Sequence, residues 1–203
     1  MNIGALALSA PVCLAPMAGI SDLTFRVLAR ECGCALAFTE MVSANGLIRE
    51  TSRTYGYLAS SPQDRPLGVQ LFGAEPAILA EAARIAESCG ADLIDINMGC
   101  PVKKVIKTGA GAALMRTPDL VRSIVAAVRR STTKPLTVKL RSGWRRSEVN
   151  APRLALIAQG EGADAVVIHP RTADQGFGGD ADWGVIEKVK TALIIPVIGS
   201  GDI

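Results

Sequence analysis

The chain has 203 residues, 49% apolar and 4% aromatic, with a net charge of +3. That length suits one domain or most of one, with apolar residues enough for a substantial core. The charge permits a polyanion partner without demanding one, the scarcity of aromatics beside 20 glycines argues against an all-β sandwich, and no stretch approaches the ~18 uninterrupted apolar residues of a membrane-spanning helix.

The opening "MNIGALALSAPVCLAPMAG" lacks a basic leader and is broken by Pro11 and Pro16, so it does not read as a signal peptide. A soluble, cytoplasmic protein is expected. Short apolar runs then alternate with amphipathic segments. Val12–Pro16 reads as the first strand. Ser21–Cys32 reads as a helix, with Ser21 and Asp22 offering N-cap chemistry and Gly33 closing it. Leu36–Met41 is the second strand, and Ser43–Ser60 is less regular. Leu67–Phe72 is the third, followed by the helix Glu75–Cys89, which has Pro76 in its first turn and ends at Gly90. Leu93–Asn97, the helix Pro118–Arg130, the strand Leu136–Arg141, the helix Val149–Gln159, the strand Ala165–His169, the helix Trp183–Lys190 and the strand Pro196–Ser200 complete the series.

Strands separated by helices imply βαβ units and a parallel sheet. The repeated returns "CGADLIDI" and "EGADAVVI" fit a (β/α) barrel. "PMAGISD" after the first strand is not the glycine fingerprint of a doubly wound dinucleotide fold. Seven strands can be counted, and an eight-stranded barrel needs one more. The expectation is therefore an α/β TIM (β/α)8 barrel, truncated after about the seventh strand.

Barrel enzymes place their chemistry at the C-terminal ends of strands. Met17, Ala18 and Gly19 follow the first strand, and Glu40 ends the second. Gln70 lies in the third, inside an otherwise apolar "LGVQLF". Asn97 and Cys100 follow the fourth. Lys139 and Arg141 alternate in the fifth, His169 and Arg171 follow the sixth, and Ser200 and Asp202 follow the seventh. Lys139 could be an exposed edge charge, Gln70 could satisfy a backbone group, and Lys103-Lys104 could be a solvated turn. His169 is the only histidine, so a His-rich metal site is not expected. The cysteines are Cys13, Cys32, Cys34, Cys89 and Cys100. An odd number without a secretory leader argues against a disulfide framework, and Cys32-x-Cys34 lacks a second pair at zinc spacing.

"LAPMAGISDLTFR", "GVQLFG", "DINMGCPVKKVIKTGAGAALM", "VKLRSGW", "VIHPRTADQGFGGDADW" and "VIGSGDI" resemble the tRNA-dihydrouridine synthases, closest to the bacterial B-type subfamily, in order from about Ile3 to Ile203. The resemblance implies a catalytic FMN-binding barrel over residues 1–203. NADPH would reduce the flavin, and the flavin would reduce the C5–C6 double bond of particular uridines in tRNA. It assigns flavin contacts to Pro16, Met17, Ala18, Gln70, Lys139, His169, Ser200, Gly201 and Asp202. It assigns proton donation to Cys100, and places Asn97 and Arg171 beside the target base or flavin. A thiol is a suitable general acid, being mostly protonated at neutral pH. Lys103, Lys104, Lys107, Arg145 and Arg146 lie on the mouth side and could hold phosphates. The family's full-length form is expected to be monomeric, without metal or membrane.

Three departures stand out. Pro170 stands where glycine is usual, Ala173 where a basic residue is frequent, and Ser200 where asparagine is common. The eighth strand's Gly-Arg segment, which helps to bind the FMN phosphate, and the C-terminal helical tRNA-binding domain are expected to lie outside these residues. Two other readings remain. One is a free-pyrimidine flavin dehydrogenase of the dihydroorotate or dihydropyrimidine type, whose related motif continues with asparagine rather than Val102-Lys103-Lys104. The other is a non-catalytic RNA-binding chain.

Overall fold

The computed structural model describes residues 1–203. Its sheet holds seven parallel strands in sequence order: β1 (Cys13–Leu14), β2 (Leu36–Phe38), β3 (Leu67–Phe72), β4 (Leu93–Met98), β5 (Leu136–Arg141), β6 (Ala165–His169) and β7 (Val197–Gly199). The second expected strand is split: β2 stops at Phe38, and a two-residue strand, Val42–Ser43, resumes pairing with β3. Thr39 Oγ1 accepts the Gln70 N–H, which occupies the donor a continuous second strand would have faced. The first strand is shorter than Val12–Pro16 because Pro11 and Pro16 bracket it and carry no backbone donor.

Five longer helices cover the outer face: α1 (Leu23–Glu31), α2 (Pro76–Ser88), α3 (Pro118–Ser131), α4 (Ala151–Gly160) and α5 (Trp183–Ala192). The Asp22 side chain caps α1 by accepting the Phe25 N–H. Along α3, Val121, Ile124, Val125 and Val128 are buried, the i, i+3, i+4, i+7 spacing of one helical face. They join a core with Ile94, Ile96 and Met98 of β4, Val138 and Leu140 of β5, and Val166 and Ile168 of β6. The alternate residues of those strands therefore face the inside of the curve. Ser43–Ser60 holds two one-turn helices, Ala44–Ile48 and Ser52–Gly56.

One element was not legible. Asn2–Ile3 and Leu6–Ala7 pair as an antiparallel hairpin. Ile3, fully buried, packs with Leu36, Leu93 and Ala165, the first residues of β2, β4 and β6. The hairpin thus plugs the N-terminal end of the sheet and leaves the chemistry to the other end.

Candidate functional site

Register and alternation carry polar side chains into the interior. Gln70 stands opposite Asp95, Asp95 opposite Thr137, Asn97 opposite Lys139, and Arg141 opposite His169. Interior strand positions in a parallel barrel are ordinarily bulky and apolar. Here they form a connected hydrogen-bond chain. The Gln70 amide donates to Asp95 Oδ2 at 2.6 Å, Thr137 Oγ1 donates to Asp95 Oδ1 at 2.6 Å, and Asn97 Nδ2 donates to Gln70 Oε1 at 2.8 Å. Asn97 Oδ1 accepts the N–H of Cys100 at 3.0 Å and of Gly99 at 3.2 Å, which shapes the turn carrying the thiol. Cys100 is half-buried. Its carbonyl accepts from Ala112, and a Cβ on Gly111 would come within 2.6 Å of that oxygen, so only glycine allows the approach.

A second network joins the later strands. Arg141 Nε donates to Gly99 O at 3.0 Å, while its Nη1 donates to Thr172 O and Gly176 O at 2.9 and 2.7 Å. It ties the Cys100 turn to the loop after β6. Arg171 grips Asp202 with two nitrogens, Nη1 to Oδ1 and Nη2 to Oδ2, each at 2.8 Å. Asp202 also accepts the Ala181 N–H, and the Arg171 hydrogen bond holds its carboxyl below the ordinary value. Gly201 has φ +96°, and a Cβ there would lie 2.5 Å from the His169 ring. Glycine is required on both counts.

A cavity of about 290 Å³ sits between the edge strands. Pro16, Lys139, Ser200, Gly201 and Asp202 line it, with Asp95 and Phe38 from the interior. Lys139 Nζ donates to Ser200 Oγ at 3.2 Å. Burial pushes the Lys139 ammonium down to about 8, opposed by Asp95; burial pushes the Asp95 carboxyl up to about 6, opposed by its hydrogen bonds from Thr137 and Gln70. Burial, then the charges of Arg141, Lys139 and Arg171, lowers His169 to about 4, so its imidazole is neutral at pH 7. Three cations, one of them Arg171 paired with Asp202, surround this neutral ring.

The expected residues thus fall into two groups. Pro16, Lys139 and Ser200–Asp202 line the cavity. Gln70, Asn97, Cys100, His169 and Arg171 adjoin it through Asp95, Gly201 and Asp202. Met17 and Ala18 do not line it. They lie on the loop between β1 and α1, where Ser21 Oγ accepts the Met17 N–H at 3.0 Å and Glu40 accepts the Gly19 N–H. That loop is anchored from below by Arg26, 1% exposed, whose Nη1 donates to Ser21 O at 2.8 Å while Nε and Nη2 reach Asp64 Oδ2 at 3.0 and 2.8 Å. Sequence reading passed over Asp95 and Thr137. The same period of two that singled out Lys139 and Arg141 reaches Thr137 one step earlier, and reaches Asp95 from Asn97.

The sequence profile of the family described as dihydrouridine synthase (Dus) matches residues 13–203. The chain belongs to this family. It is 45% identical over 203 residues to "tRNA-dihydrouridine synthase B" of Xanthomonas campestris pv. campestris, covering 100% of this chain and 61% of that protein. It is 42% identical over 204 residues to "Probable tRNA-dihydrouridine synthase" of Rickettsia bellii, covering 63% of it. The chain thus spans about three fifths of the length of these curated relatives, and its likeness to the first is to the B-type branch of the family. Among solved structures, histamine dehydrogenase from Rhizobium sp. 4-9 superposes with a TM-score of 0.69 at 14% identity, over 99% of this chain and 41% of that one. A variant of NCR from Zymomonas mobilis gives 0.66 at 14% identity, over 100% and 78%. These likenesses show the fold of this dihydrouridine synthase relative: seven strands of a TIM barrel with their flanking helices. Among its residues there is no cluster of three or more His, Cys, Asp or Glu placed to hold a metal, and no helix is long and apolar enough to cross a membrane.

Proposed function

We propose that residues 1–203 are the catalytic barrel of a cytoplasmic tRNA-dihydrouridine synthase that uses FMN, with NADPH as reductant, to convert uridines in tRNA to 5,6-dihydrouridine. The observation that carries this reading is that the Cys100 turn and the cavity lined by Lys139 lie at the same end of the sheet, joined through Asn97, Gln70 and Asp95. Family membership and the names of the relatives support it. The residues fit a flavin. Gly201 lines the cavity without a side chain, and Lys139 sets a cation in its wall that would offset the negative charge of a reduced ring.

Pro16, Lys139 and Ser200–Asp202, which line the cavity, would hold the FMN, with Gln70, His169 and the Met17–Ala18 loop beside it. When bound, it supplies the hydride that adds to C6 of the uracil. The chain's own residues then handle the proton and the base. Cys100 Sγ donates a proton to C5 as negative charge develops there. The turn fixed by Asn97 Oδ1 sets the direction from which that thiol approaches. Neutral His169 can donate or accept without adding a further charge beside Lys139. Asn97 and Arg171 would flank the base. Folded tRNA hides its uridines, so the target is extruded into the mouth. Lys103, Lys104, Lys107, Arg145 and Arg146 are all exposed and would take phosphates. We place the protein as a monomer on its RNA.

The test is the purified protein with NADPH and unmodified tRNA, followed by its flavin absorbance and dihydrouridine content. Cys100→Ala should keep the flavin and its reduction by NADPH while losing uridine reduction by about 10²–10⁴-fold, the span of a general acid. Unchanged turnover in that variant removes Cys100 from the role. Flavin reduction coupled to free pyrimidines but not to tRNA would replace the proposal with a free-pyrimidine dehydrogenase.

A further inference from the structure

We propose that Asp95 is a positioning residue: its buried carboxylate fixes the orientation of the Gln70 amide and, through Asn97, holds the turn that carries Cys100. The functional meaning of this inference rests on the site proposed above; the contacts do not. Asp95, Gln70, Asn97 and Thr137 are 1%, 1%, 6% and 0% exposed, so their polar atoms have little access to water and must satisfy one another.

The direction of the chain is set from both ends. At one end, two backbone N–H groups can only donate, and both point at Asn97 Oδ1. Asn97 therefore turns its Nδ2 to Gln70, which must accept with Oε1. Gln70 is left with only donors for its other neighbour, and that neighbour is a carboxylate oxygen at 2.6 Å. Side-chain amides can be placed either way round by shape alone. Here the backbone at one end and a carboxylate at the other admit one orientation for both. A burial that serves packing only would be met more cheaply by an apolar residue, as it is at Ile94 and Ile96 on the opposite face. Thr137 Oγ1 occupies the remaining carboxylate oxygen at 2.6 Å, so Asp95 is held as firmly as the amide it directs. Lys139, one step along β5, adds an attractive charge.

The test compares Asp95→Asn, Asp95→Ala and Gln70→Met in the whole protein. The readout is the rate at which iodoacetamide labels Cys100, followed on its peptide by mass spectrometry. Asparagine can still accept from Gln70 and let Thr137 reverse its hydroxyl, so Asp95→Asn should label within about twofold of wild type. Asp95→Ala removes the acceptor, frees the amide chain and should speed labelling about fivefold, the factor that one net hydrogen bond of about 1 kcal/mol represents. Gln70→Met breaks the middle link and should do the same; it decides the matter if Asp95→Ala does not fold. In turnover, Asp95→Ala should lower kcat and leave the KM for tRNA unchanged. Labelling at the wild-type rate in a variant that still melts cooperatively overturns the proposal, as does a fivefold rise in Asp95→Asn. If the wild-type protein forms no dihydrouridine, the proposed function falls, while the labelling still decides the role of Asp95.

Discussion

The middle of the sheet and its two edges are built differently. Strands β3–β6 run five or six residues each, buried along almost their whole length, and pair in unbroken register. The edges β1 and β7 have two and three residues, all of them half-buried, and the cavity lies between them. The middle carries the thiol turn and the amide chain. The edges carry most of the residues that line the cavity. A turn that leaves a long, fully paired strand is held by that strand's register and by the Asn97 hydrogen bonds. Short edge strands paired on one side leave the cavity between them more room to adjust.

Arg26 offers the strongest way to break this comparison, because it stiffens the open side. It lies on α1, next to β1, and its pair with Asp64 is desolvated on both partners, with side-chain exposures of 2% and 0%. Arg26→Met leaves an uncompensated charge on Asp64 and should cost about 3–5 kcal/mol in urea unfolding. The double variant Arg26→Met/Asp64→Leu should recover most of it. A loss below about 1 kcal/mol in the single variant would mean that the β1–α1 loop is not held by this pair.

Paired truncations sharpen the contrast. Ile96, in the middle of β4, is fully buried, whereas Ile198, in β7, is half-buried. Ile96→Ala should destabilise by about 2–5 kcal/mol and Ile198→Ala by about 1 kcal/mol, because less apolar area is lost and the neighbouring cavity lets the site relax. Equal losses would erase the distinction between middle and edge.

The same contrast governs how much was legible in the sequence. Leu67–Phe72, Leu136–Arg141 and Ala165–His169 have the expected bounds, because a buried parallel strand writes a continuous apolar run. The edges were read too long. Val12–Pro16 and Pro196–Ser200 have the composition of strands, but pairing on one side orders only two and three residues. The hairpin at Asn2–Ala7 went unread because two-residue strands leave no period to detect. In the site, Lys139, Arg141 and Gln70 announced themselves as polar residues inside apolar runs. Asp95 did not, because its partners Gln70 and Thr137 lie 25 and 42 residues away on neighbouring strands. The Arg26–Asp64 pair spans 38 residues and has no local signature at all.

The smallest expected effect is spectroscopic, and it asks whether the open edge closes on the middle. His169 ends β6, and Gly201, beyond β7, packs against its ring. Burial and the charges of Arg141, Lys139 and Arg171, opposed by Asp202, hold the imidazole at about 4, below the 6.5 of a free one. In the unfolded chain the ring protonates as pH falls through 6.5, while the folded protein resists until about 4. Folding stability contributed by the neutral ring is therefore complete above 6.5 and declines as pH falls across that window. The C2 proton of this single histidine gives one resonance to titrate. A midpoint near 4 means that the Ser200–Asp202 segment is packed on the ring and that Arg141, Lys139 and Arg171 surround it before any ligand arrives. A midpoint near 6.5 means that β7 swings free of β6 and that the cavity takes its shape only when filled. Gly201→Ala should move the midpoint toward the free value, since a Cβ 2.5 Å from the ring must push the segment away and admit water.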